Sequence, residues 1–388
     1  SIAYEASGRG SADTDETAIE AVAQRSGDPI TARVAYTFSE PERASRWLPC
    51  HNVPSDRAFF SAEFTMAPDE ILIANGDLIF NRLEDGKRVR RMKYSTRYNL
   101  PNYLMAFAVG EFAIATHYHN ELPVSIVTRR GLPVDAQGML KTITEQIRTY
   151  ERLLVKYPFE KYALVVVPEL GSGGIEHAGI TFQGELASTQ SRLGYDRTLT
   201  AHELGHQWFG DMVTVKTWDD LWIKEGMATL LAEEATRNFE DQNQSGRLFG
   251  NNFHLRDGDA IIDPGLEPNL KYTTGPYGRS AWLLSQLRAH LGEERFWRVL
   301  RNVLHRYAFQ AVGTDEFLAE FQPELGMLMM ARVKKALIAK TLPKIEAREI
   351  PEGILLSLHD PDEALLQPVE LRWIDALEVV QSEVLSET

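Results

Sequence analysis

The stretch His202-Glu203-Leu204-Gly205-His206 constrains this chain more than any other. Two imidazoles four positions apart share a face only on a helix, and there both can meet one metal ion. Glu203 sits beside them, placed to reach a water at that ion rather than the ion itself. The rival reading is accidental spacing, which with 10 His in 388 residues arises in roughly one chain in a hundred. A buried histidine is usually a satisfied core residue. Two of them flanking a Glu, on a segment that also carries Leu199, Ala201, Leu204 and Trp208, are not easily satisfied without a metal.

A catalytic zinc site needs three protein ligands and one open position. The stretch from Trp218 to Ala228 begins a second helical pattern, and Glu225 in it is the candidate third ligand. Alone, a Glu near a helix start more often complements the helix dipole; beside the two-histidine stretch it reads as a ligand. Cys50 is the single cysteine, which excludes an intramolecular disulfide and a cysteine-rich zinc knot. It follows Leu48-Pro49 and reads as a packing residue. The metal ligands must therefore be His, Asp or Glu.

Hydrophobic residues make up 44% and charged residues 25%, the balance of a soluble globular protein. A net charge of -14 argues against nucleic acid and anionic membrane surfaces as partners. No apolar run is long enough to span a bilayer, and no charged-then-apolar leader stands near Ser1. The chain begins without Met, so a processed or truncated N-terminus is expected. A soluble protein is expected, cytoplasmic by default, with a periplasmic or secreted location left open.

Periodicity predicts an α+β multidomain chain. Residues 1–120 read as an antiparallel β domain, with strands over 32–38, 59–66, 71–80, 89–96 and 103–116 separated by Gly, Pro, Asn and Asp. Residues 121–342 read as the catalytic domain, α/β and then helical. One amphipathic helix runs from Met139 to Leu154, a continuous apolar strand covers 163–167, and helical patterns cover 198–210, 226–238, 277–291 and 295–307. Residues 343–388 read as a β-rich C-terminal piece, clearest at 353–358 and 368–373, and residues 7–15 as a loop.

The stretch HELGHQWFGDMVTVKTWDDLWIKEGMA resembles the zinc signature of the family containing aminopeptidase N and leukotriene hydrolase. The resemblance implies a thermolysin-like catalytic domain and one zinc ion per chain on His202, His206 and Glu225, with Glu203 as general base. Gly173-Gly174-Ile175-Glu176-His177 resembles the family's glycine-rich exopeptidase stretch, and Gly173, Gly174, Glu176 and His177 are then expected to contact substrate. Glu176 would grip the free α-amino group, a role for which a fixed carboxylate suits an ammonium. Thr37-Phe38-Ser39-Glu40-Pro41 resembles the segment that supplies a second amino-group contact, here Glu40. Lys271-Tyr272-Thr273-Thr274-Gly275-Pro276-Tyr277 resembles the segment of the catalytic tyrosine; Tyr277 is the matching position and Tyr272 its rival.

The chain departs from the family pattern at several points. His177 stands where Asn is usual, Ile175 where Met is usual, and Asp211 where Asn is usual. Gly278-Arg279-Ser280 replaces Glu-Lys-Gly, and His51-Asn52-Val53 replaces an acidic stretch. None removes a ligand or the base. Family members usually carry more β-strands before such a start and a large helical domain after such an end.

The expected function is removal of single residues from peptides with a free N-terminus. Epoxide hydrolysis of the leukotriene hydrolase kind would need a narrow lipid pocket, which the sequence does not show. A non-catalytic peptide-binding relative would be expected to have lost the base or a ligand. A thermolysin-like endopeptidase shares the two-histidine stretch, but the expected amino-group contact at Glu176 argues against it.

Overall fold

Turn residues cut the first third of the chain into short strands. The segment expected as one strand over 71–80 is two, Ile71–Ala74 and Asp77–Glu84, parted by Asn75 and Gly76, whose φ of 82° suits glycine. The computed structural model describes residues 19–22, 33–84, 86, 88–168, 170–189, 196–236, 258–350, 353–360, 369–374 and 380–385. The loop expected over 7–15 lies outside these residues.

Strands Ile19–Val22, Val34–Thr37, Phe107–Gly110 and Ile71–Ala74 form an antiparallel sheet in that spatial order. A three-stranded sheet of Ser61–Met66, Val89–Ser95 and Asp77–Glu84 stands beside it in sequence. The central sheet has five strands, ordered Phe112–His119, Leu122–Arg129, Tyr162–Val167, Ile180–Gly184 and Gly174–His177. Its first hairpin turns at residue 120, so the strand that opens this sheet belongs to the segment assigned from sequence to the N-terminal β domain.

The run Tyr162–Val167 is wholly buried because both faces of the sheet are covered. Tyr162, Leu164 and Val166 join a core made with the helices, whereas Ala163, Val165 and Val167 meet Val34, Tyr36 and Ala108 of the N-terminal sheet. The alternation is the two-residue period of a strand. The Tyr36 hydroxyl donates to Pro168 O at 2.8 Å and pins the two sheets together.

The helices are α1 (Ala136–Leu153), α2 (Glu185–Thr189), α3 (Arg197–Gly205), α4 (Leu221–Thr236), α5 (Ser280–Leu291), α6 (Glu293–Arg306) and α7 (Thr314–Ile338). In α4 nearly every side chain is buried, so it lacks a polar face and runs through the middle of the helical half. A Cβ at Gly226 would stand 2.5 Å from Ser280 Cβ, which is why α4 and α5 can pack so closely. Beyond α7 come two antiparallel hairpins, Lys344–Ile350 with Gly353–His359 and Val369–Ile374 with Val380–Leu385. Among the described residues no helix is long and apolar enough to cross a membrane.

Candidate metal centre and amine pocket

The two imidazoles lie on the last turn of α3. Asp196 caps that helix, its Oδ1 accepting from Thr198 N at 3.0 Å and Leu199 N at 2.9 Å. One turn apart, His202 Nε2 and His206 Nε2 approach to 3.1 Å. Glu225 Oε2, from the second turn of α4, is 3.2 Å from His202 Nε2 and 3.3 Å from His206 Nε2. Ligand atoms about 2.0–2.2 Å from one zinc ion, tetrahedrally arranged, would be separated by roughly this distance.

Three further observations fit a cation at this point. The Phe209 carbonyl lies 3.0 Å from His206 Nδ1, which fixes the proton there and turns the Nε2 lone pair toward the triad. His202 Nδ1 has Thr229 Oγ1 at 3.4 Å in the corresponding place. Burial alone would lower the pKa of His206, yet the carboxylates of Glu176 and Glu225 outweigh it and raise it to about 10. The two carboxylates that do this surround the triad with negative charge, which suits a cation.

The loop between α3 and α4 ties this triad to the edge of the central sheet. Gln207 Oε1 accepts from Gly179 N and from the Tyr157 hydroxyl, both at 2.9 Å. Its Nε2 donates to His177 O at 3.1 Å and Asp211 Oδ2 at 2.7 Å. Gln207 is therefore fully used in joining the end of α3 to the strand Gly174–His177. At the start of α4, Asp220 Oδ2 accepts from Thr217 N and Oγ1, and its Oδ1 from Thr314 N and Oγ1. That carboxylate locks the α4 start, and hence Glu225, against the α7 start.

Glu203 is buried, and its Oε2 has no hydrogen-bond partner among the described residues. Burial, together with the charges of Glu176 and Glu225, holds its carboxyl well above the usual carboxylate range. The backbone of Gly174 lies against it, and a Cβ there would come within 2.5 Å of Glu203 Oε1. Glu203, both imidazoles, Glu225, Glu176 and Glu40 all line one cavity of about 700 Å³.

The strand Gly174–His177 is an edge strand, paired on one side with Ile180–Gly184, and among the described residues its other side has no sheet partner. Gly174 and Glu176 line the cavity; Gly173 precedes the strand with a φ of 84°. His177, expected from sequence to contact substrate, is buried and does not line the cavity. With Glu176 turned to the cavity, strand alternation turns the neighbouring ring inward, where it packs edge-on to Phe182 at 5.0 Å. Burial lowers its pKa to about 4, so the ring is neutral.

Glu40 arrives from the N-terminal segment, after the strand Val34–Thr37. Its Oε1 accepts from the Tyr272 hydroxyl at 2.9 Å. Tyr277 lies instead on a π-helical turn, Gly275–Arg279, with its ring near-parallel to that of His202 at 6.0 Å. Arg279 donates to Asp259 O at 2.7 Å and Lys340 O at 3.2 Å, and Ser280 Oγ donates to Gly275 O at 3.0 Å. The departure at Gly278-Arg279-Ser280 thus supplies the anchors of the turn. Burial raises both tyrosines well above the usual phenol range, so each hydroxyl stays a donor.

Lys224 was not singled out in the sequence. It is 1% exposed, and its Nζ lies among Glu40, Glu176 and Glu225. A Lys inside a helix with no exposed face is a visible signal, since lysine is almost never fully buried unless paired.

Known proteins resemble the chain in these parts. It is 28% identical over 309 residues to the leucyl aminopeptidase of Saccharolobus solfataricus, covering 73% of this chain and 38% of that protein. It is 27% identical over 299 residues to probable aminopeptidase 1 of Sulfurisphaera tokodaii, with 72% and 38% covered. The chain therefore spans about 38% of the length of these relatives. In fold it resembles the M1 zinc metallopeptidase of Deinococcus radiodurans, with a TM-score of 0.70, 22% identity, and 84% of this chain and 75% of that one covered. Aminopeptidase A of Legionella pneumophila, solved with aspartic acid, gives a TM-score of 0.74 at 20% identity over 91% of this chain and 44% of that one. The description "Peptidase family M1 domain" matches residues 139–336, which hold Glu176, the two-histidine helix, Glu225 and both tyrosines. With that match spanning half of its length, the chain belongs to peptidase family M1.

Proposed function

We propose that this chain is a zinc-dependent aminopeptidase that hydrolyses the first peptide bond of peptides with a free N-terminus. One observation carries this reading: Glu176 and Glu40 share a cavity with the His202, His206 and Glu225 triad. A carboxylate pair beside a metal centre offers an ammonium site one residue from the bond to be cut. An internal peptide bond has no ammonium there to satisfy it.

His202, His206 and Glu225 would hold the ion. Zinc at such a triad supplies Lewis acidity, which acidifies water and polarises a carbonyl. Glu203 accepts the proton of the attacking water at Oε2, the oxygen without a partner among the described residues, and passes it to the amine nitrogen that leaves as the C–N bond breaks. Tyr277 donates from its hydroxyl to the carbonyl oxygen as negative charge builds there. The edge strand Gly174–His177 can align the substrate backbone, because its outer side has no sheet partner among the described residues. Glu176 and Glu40 orient the N-terminus.

The relatives given above support this reading by name, and a mutant of the Deinococcus enzyme was solved with a Tyr-Ser-Ala substrate. None of those names favours epoxide hydrolysis. The domain organisation we propose is that expected from sequence, 1–120, 121–342 and 343–388, with the hairpin at residue 120 joining the first two. The test is hydrolysis of a panel of aminoacyl chromogenic substrates, each with its N-acetylated counterpart, by zinc-loaded protein. Cleavage of the free amines alone, abolished by a chelator, is expected. Equal cleavage of the acetylated series would overturn the exopeptidase reading.

A further inference from the structure

An ammonium has three protons to donate and no acceptor. Lys224 Nζ is 2.6 Å from Glu40 Oε1, 2.5 Å from Glu176 Oε1 and 2.9 Å from Glu225 Oε1. Three carboxylates thus surround the ammonium, each through one oxygen, and Glu176 Oε1 accepts a hydrogen bond from it. Tyr103, whose hydroxyl donates to Gly210 O at 2.9 Å, places its ring 5.8 Å from the same nitrogen and helps to confine it.

The second oxygens are what the site has left to offer. That of Glu225 faces both imidazoles, at 3.2 Å and 3.3 Å. That of Glu40 is buried and has no hydrogen-bond partner among the described residues, although Glu40 lines the cavity. Its Oε1 is already taken twice, by Lys224 and by the Tyr272 hydroxyl. A buried carboxylate oxygen without a donor is costly, and a cation bearing N–H groups would relieve it. Lys224 itself does not line the cavity, so it stands behind the carboxylates and not in the place of a substrate.

We propose that Lys224 is a positioning residue for amine recognition. It holds one oxygen of Glu40 and one of Glu176 and so directs the free oxygen of Glu40 at the substrate ammonium, while Glu225 is placed for the metal by α4 and its anchored start. Without a cation between them, carboxylates this close repel and turn apart. That removes the fixed acceptor that distinguishes a free N-terminus from a blocked one. This inference rests on the aminopeptidase reading and sharpens it: the residue acts through Glu40 and Glu176 and touches no substrate.

The experiment compares zinc-loaded protein with its Lys224→Met variant by calorimetric binding of two probes, leucine hydroxamate and its des-amino counterpart, 4-methylpentanohydroxamate. Both present the same metal-binding head and side chain and differ by the α-amine alone. The unmodified protein should prefer the amine. In the variant that preference should shrink by about tenfold or more, the worth of one charge-assisted hydrogen bond, with des-amino affinity and zinc content held within about twofold. If Lys224→Met does not fold, Lys224→Gln, which keeps two N–H donors but no charge, is read in the same way. An unchanged preference, or an equal loss for both probes, would overturn the inference. So would loss of zinc from both variants, since Lys224 would then be a support of the metal site. No amine preference in the unmodified protein would instead sink the aminopeptidase reading, which keeps the two failures distinct.

Discussion

The Tyr272 hydroxyl donates to Glu40 Oε1 across 2.9 Å, joining residues 232 positions apart at one wall of the cavity. This bond separates the two tyrosines that compete from sequence for one role. Tyr272 is committed to a carboxylate of the proposed amine pocket, whereas Tyr277 lies beside His202 on an anchored turn. Tyr272→Phe should therefore raise KM for free-amine substrates by about tenfold with little change in kcat. Tyr277→Phe should lower kcat by roughly a hundred- to a thousand-fold and leave inhibitor affinity and zinc content nearly intact. Steady-state kinetics of the two variants side by side would show it, and the reverse order would exchange their roles.

Ligation and proton transfer fall on different residues, so they can be removed separately. Glu203→Gln should keep one zinc per chain and lose turnover by about a hundred-fold or more. His206→Ala should lose the metal, because it deletes a nitrogen that stands 3.1 Å and 3.3 Å from its two partners in the triad. Metal analysis and turnover on the same samples distinguish the two. Full zinc occupancy in His206→Ala would mean that the ion is held elsewhere.

How much of this was legible in the sequence varies with the range of the interactions. The two-histidine helix and Glu225 follow from local spacing and Glu176 from the family resemblance, whereas the edge strand that carries Glu176 does not show in the sequence pattern; the structure brings these residues to one cavity. The α7 helix was not read, because Pro323 and Gly326 interrupt its pattern; Gly326, at φ 73°, kinks it. The helical pattern at 226–238 starts earlier, at Leu221, since the capping by Thr217 and Asp220 lies outside any apolar period, and residues 237 and 238 lie outside the described ones. The helix expected at 277–291 begins at Ser280 behind a π turn whose anchors, Asp259 and Lys340, are distant in sequence. His177 was placed by its neighbours in the glycine-rich stretch, and only the alternation of a strand in known register turns its ring inward. Lys224 needed its three partners, which come from three separate segments.

Asp220 carries a second, structural prediction. Its carboxylate accepts from Thr217 and Thr314 at 2.7–3.0 Å and is 7% exposed, so removing it strands several donors. Asp220→Ala should cost about 2–3 kcal/mol of stability. A lower thermal midpoint with zinc bound is the expected readout, and because α4 loses its anchor, zinc should also be released faster to a chelator. An unchanged midpoint would mean that the α4 start is held by packing alone.

Gly174 offers the most local test of the base. Its backbone passes so close to Glu203 that an added Cβ would meet Oε1 at 2.5 Å, Cδ at 2.8 Å and Cγ at 2.8 Å. Real Cβ atoms do not approach heavy atoms so closely, and Glu203 is buried with little room to retreat. Gly174→Ala must then push the carboxylate away or lift the edge strand from it. The nearest atoms to that Cβ all belong to Glu203, whereas the positions of His202, His206 and Glu225 are set by α3, α4 and the loop between them. The variant should keep its zinc and its far-ultraviolet circular dichroism while turnover falls by about a hundred-fold, as for loss of a general base. A variant with near-normal turnover would show that the strand yields and Glu203 keeps its place.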